Sequence, residues 1–220
     1  MYGRRYTRAV VEQRAITRSE RKEATRQAIL DAALVLSSDT GLGGLSLRSV
    51  AKAVGIVPTA FYRHFASIEE LGIALVDEAF ASLRKVLRDL RREMDIQRVI
   101  DDSVAILARN VRERRGHFMF IARERVGGLP AVREAIRQEL GLFERELATD
   151  VARLPEMQQW TTEDLRVLAN LIVGAMVETA EAIITAPPGR PDIEREVVRT
   201  AERQLRMVVV GAANWRSRER

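Results

Sequence analysis

The chain has 220 residues, 46 % of them hydrophobic and 30 % charged, the composition of a globular protein that forms one helical domain or a small domain fused to a larger one. It has no cysteine, which excludes disulfides and thiolate metal sites. Residues 1–66 carry eleven Lys/Arg against five Asp/Glu, whereas the rest carries 25 against 26, so the whole positive excess sits at the amino-terminal end.

A localised excess of this kind attracts phosphate and releases counterions, and it points to nucleic acid. Residues 1–18 read as a flexible basic arm. Arg4, Arg5, Arg8, Arg14 and Arg18 recur there without an apolar period. The arm is either a disordered tail or a segment that lies along a minor groove, where arginine is drawn by the negative potential. No apolar core of signal-peptide length occurs in MYGRRYTRAVVEQR, and no uncharged apolar run approaches about 18 residues. By elimination the expected location is the cytoplasm, with no membrane partner.

Ser19 is the expected cap of the first helix, and Lys22 at its third position leaves no capping box. Ala28, Ile29, Ala32, Ala33, Val35 and Leu36 give that helix a broad apolar face. Ser37 to Gly44, SSDTGLGG, is a turn cluster. Ser46 then suits the N-cap of a helix beginning at Leu47, with its hydroxyl near phosphate. From Leu47, the residues Val50, Ala51 and Val54 continue one stripe at helical spacing. Gly55 suits a left-handed residue closing that helix, and Pro58 suits the first turn of the next. Phe61 and Phe65, four apart, can both face inward. Thr59, Ala60, Tyr62, Arg63 and His64 are left for the outer face, on a second helix of about two turns. The pattern over Leu47–Phe65 is a helix-turn-helix, short enough at its second helix to lie in a major groove.

These residues resemble the DNA-binding domain of the TetR family of one-component repressors over positions 24–80. The likeness is carried by Ile29-Leu30-Asp31-Ala32-Ala33, Gly41, Leu45-Ser46-Leu47-Arg48, Val50-Ala51, Gly55, Phe61-Tyr62-Arg63-His64-Phe65 and Glu70-Leu71. Ile68 departs from the pattern, since many members carry there a lysine that touches phosphate. Ile56 to Phe65, Glu70-Leu71-Gly72 and Arg123-Glu124-Arg125-Val126-Gly127 are similar to the FabR and DesT subgroup, which controls fatty-acid genes and senses acyl-CoA. The resemblance implies an all-α, TetR-like fold. A three-helix helix-turn-helix domain over 19–66 would precede a helical ligand-binding and dimerisation domain over 67–220.

Ser67 with Glu70 forms a capping box that opens a long helix to about Arg92, with Leu71, Leu75, Phe80 and Leu83 to Leu87 inward. Further helices are expected at about 95–113, 117–126, 130–153, 161–186 and 191–216, punctuated by Gly116, Gly127-Gly128, Pro130, Pro155 and Pro187-Pro188-Gly189. Phe118, Phe120, Ile121, Leu142, Phe143, Leu147, Val173, Met176 and Val177 are candidate walls of a ligand pocket, although packed core would use the same residues. An acyl-CoA effector, implied by the resemblance, would need a cationic mouth. Arg123, Arg125, Arg112, Arg114 and Arg115 could form it, or Arg123-Glu124-Arg125 could make ion pairs between the two domains. The family dimerises through its last two helices. Leu168, Leu171, Ile172, Ala175, Met176 and Thr179 on one, and Val197, Val198, Ala201, Leu205, Val208 and Val209 on the other, are the candidates. Gly174 would permit close approach.

Catalysis finds little support. The two histidines, His64 and His117, have no HExxH context, and Glu178 and Glu181 lack an ExxH partner helix. No cofactor and no metal is expected, and the protein is read as a binder rather than an enzyme. The expected function is a homodimeric repressor of lipid-metabolism genes, released or recruited by a hydrophobic effector such as a fatty acid or acyl-CoA. A TetR-type regulator of an efflux or catabolic operon, sensing another hydrophobic molecule, is the alternative. Double-stranded DNA with a palindromic operator would meet Thr59, Ala60, Tyr62 and His64, with Ser46, Arg48, Arg63, Arg18 and Lys22 towards the backbone. A packaging protein without sequence preference would leave the charge-balanced remainder unexplained.

Deleting residues 2–17 is expected to weaken binding to duplex DNA and to flatten its dependence on salt, read from a titration over several ionic strengths. An unchanged slope would return the arm to a tail without contacts.

Overall fold

The computed structural model describes residues 17–90 and 96–217, with side chains apart from Ser82, 85–90 and 96–101. Among the described residues every regular element is helical. The α-helices are α1 (Arg18–Thr40), α2 (Leu47–Val54), α3 (Pro58–Phe61), α4 (Ile68–Leu90), α5 (Ile96–Glu113), α6 (Arg115–Gly127), α7 (Pro130–Val151), α8 (Thr162–Thr185) and α9 (Pro191–Ala213). Single 3₁₀ turns occupy Leu42–Gly44 and Pro155–Met157. Arg4, Arg5, Arg8 and Arg14 lie outside the described residues.

Local chemistry sets the boundaries. Thr17, rather than Ser19, caps α1: its hydroxyl accepts from the Glu20 amide at 3.1 Å, while the Glu20 carboxylate accepts from the Thr17 amide at 2.7 Å. That reciprocal pair is available to Thr17-x-x-Glu20 and not to Ser19-x-x-Lys22. Ser46 caps α2 as expected, exchanging bonds with Ser49. Gly55 ends α2 at φ 75° and ψ 27°, the left-handed conformation its lack of a Cβ permits. Pro58 opens α3. Its second turn is tighter than the first, because Arg63 and His64 donate three residues back, to Ala60 and Phe61. The expected length survives, but the α-helical part is one turn. At α4 the Ser67 hydroxyl accepts from the Glu70 amide, and the Glu70 carboxylate reaches back to the Ala66 amide.

Hydrophobic burial joins what the sequence divides at residue 66. One continuous core includes Ile29 and Ala33 of α1, Leu42, Val50 of α2, Phe61, Phe65, Leu71, Leu75 and Phe80 of α4, Phe120 of α6, and Val132, Ile136 and Phe143 of α7. Ala28 and Val35 point outward instead, Val35 being 70 % exposed, so the inward face of α1 is narrower than its sequence implies. α8 packs on α7 and α9 and also touches α5 and α6. Among the described residues it is the one helix long and apolar enough to cross a membrane by length and composition. Here Leu165, Leu168, Ala169, Ala180, Ile183 and Ile184 are buried against neighbouring helices, while Val167 and Leu171 stand outward.

A close seam lies where Gly72 of α4 meets Leu42 and Val132. A Cβ at position 72 would collide with the Leu42 side chain and lie 2.7 Å from Val132 Cγ2. Gly72→Ala is therefore expected to destabilise the fold by about 1–3 kcal/mol in denaturant titration, despite alanine's higher helix propensity. A neutral or stabilising result would show that the seam can open without loss.

Candidate functional site

Thr59, Tyr62 and Arg63 of the α3 region are exposed, as are Ser46 and Arg48 at the start of α2 and Arg18 and Lys22 on α1. Tyr62 is 56 % exposed, although its ring edge rests on the buried Phe61. Ala60 and His64 are only half-buried. The backbone of α3 is pinned from behind. The Arg26 guanidinium donates to the His64 carbonyl at 3.3 Å and lies 4.3 Å over the Phe65 ring. Burial pushes the His64 imidazole below its usual value, helped by Lys22, Arg26 and Arg63 and opposed by Glu23. Val57, 64 % exposed just before α3, was not singled out in the sequence, because an apolar residue carries no charge signal there.

The second feature is a cavity of about 440 Å³ between α4, α5, α6, α7, α8 and α9. Seven of the expected wall residues line it: Phe118, Ile121, Phe143, Leu147, Val173, Met176 and Val177. Phe120 belongs instead to the main core, and Leu142 is half-buried away from the cavity. Both sit on helices that are apolar on more than one side, where spacing alone cannot assign a face. The sequence reading missed Phe80, Leu107, Leu140 and Ile184 as walls.

Of the five expected mouth arginines only Arg125 lines the cavity, ion-paired with Glu181. Arg112 pairs with Glu194, Arg115 donates to the Ile184 carbonyl, and Arg114 stands at the N-cap of α6. Arg123 is turned away from the cavity. Its guanidinium donates to the carbonyls of Ser37, Ser38 and Asp39 at the end of α1. Beside it, Glu124 is 2 % exposed and accepts from the Leu42 amide at 2.9 Å. The expected bridge between the two units therefore exists, but its partners are backbone groups rather than opposite charges. Helix α6 thus carries cavity wall on one face and, on the next, the grip on the helix-turn-helix.

The expected interface residues divide. Leu168, Thr179, Ala201 and Leu205 are buried within the chain, Ile172, Ala175, Val198 and Val209 are partly covered, and Leu171 stands 54 % exposed. The outward apolar positions of the last two helices are Val167 and Leu171 on α8 and Met207 and Val210 on α9. The buried residues are corrected to core: α8 is apolar over most of its girth, so its sequence does not show which stripe meets α9.

A helix-turn-helix with exposed polar residues, joined to a ligand-sized apolar cavity, defines a DNA-binding regulator of the one-component type. Residues 29–75 match the family described as bacterial regulatory proteins, tetR family. Among solved structures it is similar to the fatty acid degradation regulator FadR from Bacillus halodurans (TM-score 0.68, 17 % identity, covering 88 % of this chain and 97 % of that one). FadR from Bacillus subtilis in complex with stearoyl-CoA gives a TM-score of 0.65 at 17 % identity, over 84 % and 98 % of the two chains. The SmeT–triclosan complex gives 0.67 at 18 %, over 86 % and 91 %. At these identities the likeness is one of fold.

His117 fills the junction of α1, α4 and α6. Its Nε2 lies 3.8 Å from Glu78 Oε1, which also accepts from Gln27 at 3.1 Å. Burial lowers its affinity for protons, Glu78 and Asp31 raise it, and Arg114 lowers it, with a net downward shift. Both histidines thus bind protons less readily folded than unfolded, so stability falls as pH drops below about 6.5 and continues to fall towards the lowered folded values. The melting temperature is expected to decrease between neutral pH and about pH 5, and His117→Gln to flatten that slope. A steeper slope in the variant would contradict the assignment.

Proposed function

We propose that this regulator is a homodimeric transcriptional repressor whose operator affinity is set by a hydrophobic effector in the α4–α9 cavity. The observation that carries the reading is α6, which touches both the cavity, through Phe118, Ile121 and Arg125, and the helix-turn-helix, through Arg123 and Glu124. An effector that repositions α6 biases the angle at which α3 is presented. By linkage, it must bind operator-bound and free protein with different affinities. The exposed stripe of Val167, Leu171, Met207 and Val210 suits burial against a second copy. Two recognition helices about 34 Å apart would then read a palindrome. Tyr62, Thr59 and Ala60 are the base-reading candidates, His64 stands at their rim, and Val57 suits a thymine methyl. Arg48, Arg63, Ser46, Lys22 and Arg18 are the phosphate candidates, all of them exposed.

For the effector, a long alkyl or fatty-acyl chain has two supports. The cavity volume falls in the range of roughly 300–1,000 Å³ typical of ligand pockets, and its lining is dominated by Leu, Ile, Val, Phe and Met. Fatty-acid regulators also stand among the structural neighbours, one of them with stearoyl-CoA. Control of lipid-metabolism genes is the reading that goes with such a chain. A drug-type hydrophobic molecule is the second reading, favoured by the near-absence of hydrogen-bonding groups inside and by the triclosan complex of SmeT.

Binding to duplexes selected from a random pool tests the reader. The protein is expected to enrich a palindrome, and Tyr62→Ala to weaken that binding at least tenfold (about 1.4 kcal/mol or more) without loss of helicity or change in native mass. Enrichment of no sequence, or a variant that unfolds, would contradict the assignment of Tyr62 to base reading.

A further inference from the structure

Of the side chains on the cavity wall, Glu156 and Ala213 are the exposed ones, and the others are buried or half-buried. Glu156 lies on the 3₁₀ turn before α8, with Leu154 and Met157 beside it on the wall. Ala213 is the last residue of α9, and Val209 and Ala212 precede it on the same wall. The chamber thus approaches the surface between that turn and the end of α9. Its other partly exposed stretch of wall, at Arg125 and Glu181, is closed by their ion pair.

The residues after α9 tie the two rims together. Asn214, Trp215 and Arg216 leave the helix, and Ser217 returns to the start of α8. The Ser217 hydroxyl accepts from the Thr161 amide at 2.8 Å and donates to the Asp164 carboxylate at 2.6 Å. Thr161 is the N-cap of α8 and accepts from the Asp164 amide at 3.1 Å. The Asp164 carboxyl is held below the ordinary carboxylate range, chiefly by the Ser217 hydroxyl and next by the Trp215 side chain. The segment therefore runs from Ala213 on one rim to Thr161, just beyond Met157 and Trp160 on the other. The tie is light. It consists of hydrogen bonds at half-buried groups, and Trp215 stands 58 % exposed. Bonds of this kind contribute little net stability, so such a segment opens locally while the bundle behind it stays folded.

We propose that residues 214–217 are a strap that gates the cavity: hydrophobic effectors enter and leave between the 3₁₀ turn and the end of α9, when Ser217 releases Thr161 and Asp164. This rests on the reading of the cavity as the effector site and adds the route by which that site is reached. The strap residues are not part of the cavity wall, so loosening them changes the rates of entry and exit together and leaves the affinity nearly fixed.

The chain has no cysteine, so a single cross-link can test the strap. The side-chain oxygens of Thr161 and Ser217 lie 3.4 Å apart. In the full-length double variant Thr161→Cys, Ser217→Cys, oxidation locks the strap and reduction frees it. Binding of N-phenyl-1-naphthylamine, an uncharged dye that brightens on leaving water, is followed by stopped-flow fluorescence, and displacement by 1-decanol assigns the signal to the cavity. The oxidised variant is expected to take up and release the dye about tenfold or more slowly than the same protein reduced, with the same Kd at equilibrium. Ser217→Ala, which needs no cross-link, is expected to speed both rates about three- to tenfold, with circular dichroism and Kd unchanged. Equal rates in the oxidised and reduced forms would overturn the strap and move entry elsewhere, while leaving the cavity reading intact. Failure of both dye and decanol to bind would overturn the cavity reading itself, and the strap with it.

Discussion

The buried Glu124 carboxylate on the Leu42 amide, beside the Arg123 guanidinium on the last carbonyls of α1, is the contact that makes the two ends of this protein one object. Both groups come from α6, and both address backbone rather than side chains. Backbone groups at a helix end have no intrahelical partner, and a buried one left unpaired is costly. The end of α1 and the 3₁₀ turn after it therefore depend on the position of α6. The same helix turns Phe118, Ile121 and Arg125 to the cavity. Close packing around Gly72, Leu42 and Val132 leaves little slack at that seam, so a displacement of α6 has few places to dissipate.

Electrostatics divides the labour between the two ends. Positive charge is concentrated where α1, α2 and α3 turn outward, which suits a phosphate backbone. The cavity is lined chiefly by Leu, Ile, Val, Phe and Met, and its one arginine, Arg125, is paired with Glu181.

Much of the amino-terminal unit is legible in the sequence, because local chemistry fixes it. Ser46, Gly55 and Pro58 each solve a backbone problem within a few residues, and Phe61 and Phe65 can face only one way. Thr17 escaped because Ser19 offers an equally plausible hydroxyl, and only the partner three residues on decides between them. The ligand-binding half is less legible for a geometric reason. α8 is apolar over most of its girth, so its contacts with α9, with the cavity and with the outside cannot be told apart by period, and Leu168 and Thr179 fell inside, as did Ala201 and Leu205 of the facing α9. The roles of Arg123 and Arg125 could be narrowed to bridge or mouth but not separated. They are two residues apart, about 200° around a helix, and which side faced which unit depended on contacts eighty residues away.

The central claim is that occupation of the cavity is felt at the helix-turn-helix through α6. Hydrogen exchange at the Leu42 amide, measured with and without saturating 1-decanol, tests it most directly, because that amide is held by Glu124 itself. The account predicts a several-fold change at Leu42 and at the adjoining end of α1 whenever the cavity is filled. Changes confined to the cavity walls, with exchange at Leu42 unaltered, would contradict it.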